Sequence, residues 1–214
     1  MDEFSLDEKI EWLTAARKDD VDIIRDFVSK GFDINYTNDT GRFFDDETAL
    51  SVSVRFNSNK VLDYLLGEGA DVMAGGKTTP LHWACSSNKH DIHYVSVNQL
   101  QKLVEHGADI EARNKIGTTP ICWLVRGGLD NIVEFRFMLE QGARLDVVNA
   151  EGHDIFKFNT TKKFWCDPLV QEDIILFAPY FIPDIEERFG IKPSLKKRYA
   201  DIIFTEVQSR NLGF

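Results

Sequence analysis

Apolar residues recur along the chain in short helical stretches separated by glycine. After Thr79-Pro80, the residues Leu81, Ala84 and Cys85 follow at the spacing of one helix face, with threonine placed to cap the helix and proline in its first turn. A second stretch, Val97, Leu100, Leu103 and Val104, runs to Gly107, where a left-handed residue closes a helix without a Cβ penalty. Forty residues after Thr79 the pair returns as Thr119-Pro120 with Ile121, Leu124 and Val125. Ile132, Phe135, Phe137, Met138 and Leu139 then lead to Gly142, and Gly127-Gly128 makes the turn between the two stretches. The pattern predicts pairs of short helices.

Two anchors repeat in phase. The endings Gly31-Phe32-Asp33-Ile34, Gly69-Ala70-Asp71-Val72, Gly107-Ala108-Asp109-Ile110 and Gly142-Ala143-Arg144-Leu145 stand 38, 38 and 35 residues apart. Upstream of the last three lie Thr48-Ala49-Leu50, Thr79-Pro80-Leu81-His82 and Thr119-Pro120-Ile121-Cys122. This arrangement resembles the ankyrin repeat, a unit of about 33 residues made of a helix–turn–helix and a projecting β-turn, with T-P-L-H-x-A inside it. Laid back from Gly31, the same frame puts Ile10 at the threonine position and Ala15-Ala16 at the small-residue positions, so a first copy lacks the Thr-Pro start. Laid forward, Asn149-Ala150-Glu151-Gly152-His153-Asp154-Ile155 matches Asn114-Lys115-Ile116-Gly117-Thr118-Thr119-Pro120 and opens a degraded fifth copy.

The resemblance implies an all-α solenoid over about residues 1–160, with repeats near 5–38, 39–76, 77–114 and 115–149 and a degraded one at about 150–165. Short β-turn fingers are expected between the helix pairs. Residues 166–214 are expected to form a helical C-terminal cap, since a terminal repeat cannot bury its own apolar face. Candidates for that covering are Ile174, Ile175, Leu176, Phe177, Tyr180, Phe181, Ile202, Ile203 and Phe204.

Two insertions break the period. From Asp33 to Thr48 is 15 residues against 10 from Asp109 to Thr119, an excess that falls on Arg42-Phe43-Phe44-Asp45-Asp46-Glu47. This long first finger is expected to fold back onto the first two repeats, or else to carry Phe43 and Phe44 to a partner. In the third copy, Thr79 to Gly107 spans 28 residues against 21 from Thr48 to Gly69, the extra lying around Lys89-His90-Asp91-Ile92-His93-Tyr94. Extension of a helix is the expectation there.

Composition narrows the function classes. With 214 residues, 43% hydrophobic and 28% charged, the chain fits one packed unit rather than a disordered segment. The net charge of −10 divides as −8, −1 and −1 over residues 1–50, 51–150 and 151–214, and an acidic front of that kind opposes nucleic-acid binding. Three cysteines and an N-terminus without a basic and apolar leader point to free thiols in the cytoplasm, with the nucleus also compatible. The longest apolar run, Ile174 to Ile182, is too short for a membrane helix and holds Pro179. No membrane partner is expected.

Catalytic constellations are thin. His82, Cys85, His90, His93 and Cys122 have zinc-compatible chemistry, but the resemblance places His82 in hydrogen bonds between repeats and Cys85 and Cys122 at core positions. No metal and no small-molecule cofactor are therefore expected. An enzyme site built from His153, Cys166 and Asp167 lacks an oriented base and nucleophile in the sequence.

Surface remains. By resemblance the first helix of each repeat lines a concave groove, faced by Arg17 and Lys18, Arg55 and Phe56, Ser86 and Ser87, and Arg126 and Gly127. Val52, Trp83, Trp123 and Phe158 fall on the same face as an expected aromatic ladder, in which Trp83 and Trp123 serve either a partner or the neighbouring repeat. Arg55 and Arg126 have no obvious acidic partner within their repeats. The partner-binding set read from sequence is Phe43, Phe44, Asp45, Asp46, Arg55, Phe56, Trp83, Ser86, Trp123 and Arg126. The expected function is a non-enzymatic module, monomeric when free, that binds another protein through the concave face and first finger. The alternative is an acidic inhibitor of a basic toxin or enzyme, acting through Asp19, Asp20, Asp45, Asp46 and Glu47.

Overall fold

The structure is a computed structural model of the 214-residue chain, and it describes residues 4–38, 46–75, 78–86, 96–160, 162–165, 167–178 and Arg188. Four helix pairs run in order along it. They are α1 (Leu6–Lys18) with α2 (Val21–Ser29), α3 (Ala49–Arg55) with α4 (Asn59–Gly67), α5 (Pro80–Ala84) with α6 (Val97–Glu105), and α7 (Pro120–Gly127) with α8 (Ile132–Glu140). The first helices α1, α3, α5 and α7 pack successively into an inner row, while α2 lies on α4 and α6 on α8.

Local sequence explains the boundaries. The recurring glycines Gly31, Gly69, Gly107 and Gly142 all take φ between 80° and 92°. The amide after each donates back into the helix, as Phe32 does to the Phe27 carbonyl at 3.0 Å and Ala70 to the Leu65 carbonyl at 2.9 Å. This satisfies carbonyls that the helix end would otherwise orphan. Within the pairs, Asp19 and Asn57 turn the chain at φ 59° and 57°, a conformation their short polar side chains tolerate. The first copy replaces the Thr-Pro start with a capping box, in which the Glu8 amide donates to Ser5 Oγ and the Ser5 amide to Glu8 Oε2. Its helix therefore begins a turn ahead of Ile10 and runs 13 residues.

Thr79 occupies the N-cap position of α5, but its hydroxyl meets the ring of His82 at 2.8 Å rather than capping a backbone amide. The other His82 nitrogen meets the Thr118 carbonyl of the next repeat at 2.9 Å, so the imidazole, fully buried, ties the third copy to the fourth. Along the fingers, Asn35 Oδ1 accepts from the Asp71 amide at 2.8 Å, Met73 Sδ from Asp109 at 3.3 Å, and Glu111 Oε1 from Arg144 at 2.9 Å. Each finger is thus hydrogen-bonded to the next.

Aromatic rings close the first end, where Phe32 packs against Phe4, Trp12, Phe27 and Tyr36 with centroids 4.8 to 5.5 Å apart. At the other end the finger turn recurs. Asn149 Oδ1 accepts from the Glu151 and His153 amides, as Asn114 Oδ1 does from Ile116 and Thr118. After that turn the pattern shrinks to a single 3-10 turn at Ile155–Lys157, followed by α9 (Lys162–Trp165) and α10 (Pro168–Phe177). Helix α10 packs on α8 and buries Ile174 and Ile175. Phe156, Phe164, Trp165 and Phe135 form a ring cluster beneath it. Arg188 reaches back to Asp154 as an ion pair and stacks over Phe156 at 4.5 Å. The expected cap residues Tyr180, Phe181, Ile202, Ile203 and Phe204 lie outside the described residues. Among the described residues no helix is long and apolar enough to cross a membrane.

Candidate functional site

The C-terminal ends of the inner helices carry the same residue type in three of four copies: Arg17, Arg55 and Arg126, with Ser86 in the third. A cation in the last turn of a helix is favoured by the carbonyl end of the dipole, which accounts for arginine there as a local choice. The packing of the inner row then brings these side chains onto a strip with aromatic rings. The Arg17 guanidinium lies over Phe56 at 4.9 Å, and Arg55 contacts the same ring at 5.3 Å and Trp83 at 4.6 Å. Trp83 meets Trp123 edge to face at 5.5 Å, and Trp123 meets His82 at 5.6 Å. Contacts of this cation–π type contribute about 0.5–1 kcal/mol each near a surface. The strip spans the four helix pairs, and Arg55, Phe56, Trp83 and Trp123 are half-buried within it.

Arg55 is not free of an acidic partner, contrary to the expectation from sequence. Glu47 Oε1 accepts from Arg55 Nη1 at 2.5 Å, and the Glu47 side chain is only 8% exposed. Glu47 lies just ahead of the seven-residue α3 and Arg55 is its last residue, a contact that eight residues of sequence separation does not announce. Glu47 also closes the first finger, since the Asn38 amide donates to its carbonyl and the Asp46 amide donates to the Asn38 carbonyl. Burial pushes the Glu47 carboxyl above the ordinary carboxylate range, while the charge and hydrogen bond of Arg55 pull it back. Its second oxygen, Oε2, is buried with no donor among the described residues, and the Trp83 indole N–H is likewise buried without an acceptor. Trp123 differs, donating to Thr118 Oγ1 at 3.3 Å.

The other members of the predicted set divide. Arg126 is exposed and makes no ion pair among the described residues. Ser86 is half-buried next to Trp83, to whose carbonyl its amide donates. Asp46 sits half-buried at the finger base with φ 58°. Phe43, Phe44 and Asp45 lie outside the described residues, as do Ser87 and the insert from Lys89 to Tyr94. The expected ladder is shorter than its sequence reading: Val52 is fully buried and presents nothing to the face. Phe158 is half-buried against the core.

Three further groups have assigned local roles. Asp19 Oδ1 accepts from the Val61 amide of the neighbouring repeat at 2.9 Å, and Asp20 caps α2 through the Ile23 amide at 3.2 Å. Cys85 and Cys122 are buried free thiols, and burial raises both pKa values, that of Cys85 well above the ordinary thiol value. Of the residues weighed for catalysis, Asp167 caps α10 through the Leu169 amide, and His153 pairs with Glu151 at 3.1 Å. Cys166, His90 and His93 lie outside the described residues.

Comparison with known proteins bears on the repeats directly. The profile of ankyrin repeats matches residues 12–114 in three copies. A protein of fowlpox virus (strain NVSL) described as an ankyrin repeat protein is 32% identical over 121 residues, which is 55% of this chain and 33% of that protein. An E3 ubiquitin-protein ligase of Caenorhabditis elegans is 26% identical over 110 residues, 51% of this chain and 4% of the ligase. The chain thus spans a third or less of the length of these relatives. Ankyrin repeats are in general protein–protein interaction modules. With the in-phase glycines, the inter-repeat histidine and the stacked inner row, these matches show that residues 12–114 are ankyrin repeats.

Proposed function

We propose that the chain is a non-enzymatic interaction module that holds a protein partner against the strip Arg17–Phe56–Arg55–Trp83–Trp123, with Arg126 extending it on the fourth repeat. The observation that carries this reading is the continuity of arginine and aromatic rings across four repeats on exposed or half-buried positions. Large rings with a polar handle, already held in one rotamer by neighbours, lose little entropy when covered and bury much area, which is why these residue types dominate binding energy. The repeats to about residue 160 form the binding unit in this reading, and residues 166–214 cover its open end.

The acidic-inhibitor alternative draws less support, because Asp19, Asp20 and Glu47 are engaged in hydrogen bonds or an ion pair within the solenoid. The test is paired substitution, Trp83→Ala with Trp123→Ala, in a chain used as bait in its native cell. Loss of the captured partner with a retained cooperative unfolding transition is the expected result. Undiminished capture would reject the site.

A further inference from the structure

The chain's own Glu47 already occupies the guanidinium of Arg55, at the centre of the strip. That carboxylate comes from the end of the long first finger, whose excess over the other fingers is Arg42 to Glu47. Around it the strip is cationic: Arg17 shares Phe56 with Arg55, Lys18 is exposed next to Arg17, and Arg126 is exposed on the fourth repeat. Two buried polar atoms at the same place lack partners among the described residues, the Glu47 Oε2 acceptor and the Trp83 Nε1 donor. A partner carboxylate bound to Arg55 in place of Glu47 would take over the ion pair and would leave Glu47, with its unpartnered buried oxygen, able to leave its pocket and regain water.

We propose that Glu47 is a built-in competitor for an acidic side chain of the partner. The strip accepts an extended acidic segment, one carboxylate of which displaces Glu47 from Arg55, and the displacement releases the base of the first finger. The proposal rests on the strip being the binding surface and adds to it the chemistry of what binds and a cost that only an acidic partner overcomes. Charge complementarity selects such a segment over a neutral or basic one.

The probe is deca-L-glutamate, added at low ionic strength to the full chain labelled with 5-fluorotryptophan. Trp83 and Trp123 are the reporting resonances, and the fully buried Trp12 and Trp165 are internal references for an intact fold. The expected result is a saturable shift of Trp83, absent in Arg55→Gln. In Glu47→Gln the probe should bind up to about fivefold tighter, the factor expected when a competing ion pair is removed. In the unsubstituted chain the probe should also speed amide exchange at Asn38 and Asp46, whose hydrogen bonds close the finger base. This last reading needs no substitution and stands even if a variant misfolds. Unchanged or weaker binding by Glu47→Gln, or slower exchange at Asn38 and Asp46, overturns the proposal. Inorganic polyphosphate is the comparison anion, and equal gains for both probes in Glu47→Gln would refute carboxylate selection by Arg55 in favour of a general anion site. A native partner lost in the Trp83→Ala, Trp123→Ala chain yet indifferent to Glu47→Gln would retain the binding surface and reject the competitor.

Discussion

His82 gives the sharpest energetic prediction for the stack. Its ring is fully buried, and its two nitrogens meet Thr79 Oγ1 at 2.8 Å and the Thr118 carbonyl at 2.9 Å. His82→Ala removes two hydrogen bonds at about 1 kcal/mol each and leaves a cavity where the ring was, which adds about 1–2 kcal/mol, while the Thr118 carbonyl keeps the Asn114 amide as a donor at 3.0 Å. It also removes the edge-to-face partner of Trp123. The sum is about 3–5 kcal/mol, which for a chain of this size lowers Tm by about 10 °C or more. Because the lost bond joins two repeats, the interface term of the stack weakens, and the urea transition should broaden or split as well as shift. Unfolding followed in parallel by far-UV circular dichroism and tryptophan fluorescence measures both effects. His106→Ala is the control, since that ring is exposed and among the described residues bonds the Lys102 carbonyl of its own helix. A His82→Ala cost below about 1 kcal/mol, or one equal to the control, would refute the reasoning. Acid should mimic the substitution in part. Burial holds the His82 pKa below its ordinary value, so its contribution is complete above the unfolded histidine range and is lost as pH falls through that range toward the folded value.

Two other outcomes follow from named contacts. Asp173 of α10 is buried beside Arg136 at 3.6 Å, yet burial, with Glu172 and Glu140 nearby, raises its pKa to about 6. Since the folded carboxyl holds its proton more tightly than the unfolded one, the contribution of Asp173 to stability falls as pH rises from about 4 to about 6 and is level above, opposite in sign to that of His82. Asp173→Asn should abolish that slope and stabilise the chain at pH 7 by about 1–3 kcal/mol in thermal unfolding, whereas an unchanged slope would reject it. Gly117 turns at φ 77°, and a Cβ there would stand 3.0 Å from the Ala150 amide nitrogen of the next finger. Gly117→Ala should therefore cost about 1–3 kcal/mol in a urea titration, and a neutral effect would contradict the close approach.

Much of the fold was legible because the repeat places its constraints at fixed residues. Gly31, Gly69, Gly107 and Gly142 mark left-handed helix ends, and their spacing alone counts the copies. The Asn149 turn was readable for the same reason, since it repeats the Asn114 turn bond for bond. What followed it was not, because the 3-10 turn at Ile155–Lys157 and the ring cluster around Trp165 obey tertiary packing rather than the period. The site was half legible. Phase put Arg17, Arg55 and Arg126 in register and Trp83 on their face, and the same 38-residue shift could have paired Arg17 with Phe56. The Glu47–Arg55 pair escaped because an insertion delivers Glu47, and insertions carry no repeat phase. Fully buried Val52 shows the converse, a position aligned with the ladder whose size lets the neighbouring repeats close over it.

The central claim is that partner binding takes place on the strip of inner-helix ends. Site-specific photo-crosslinking tests it most directly, with benzoylphenylalanine placed in turn at Arg126, at the end of α7, and at Val133, exposed on α8. The account predicts partner crosslinks from position 126 that vanish in the Trp83→Ala, Trp123→Ala chain, and none above background from position 133. Crosslinks from position 133 alone, or from position 126 undiminished by the two substitutions, would contradict it.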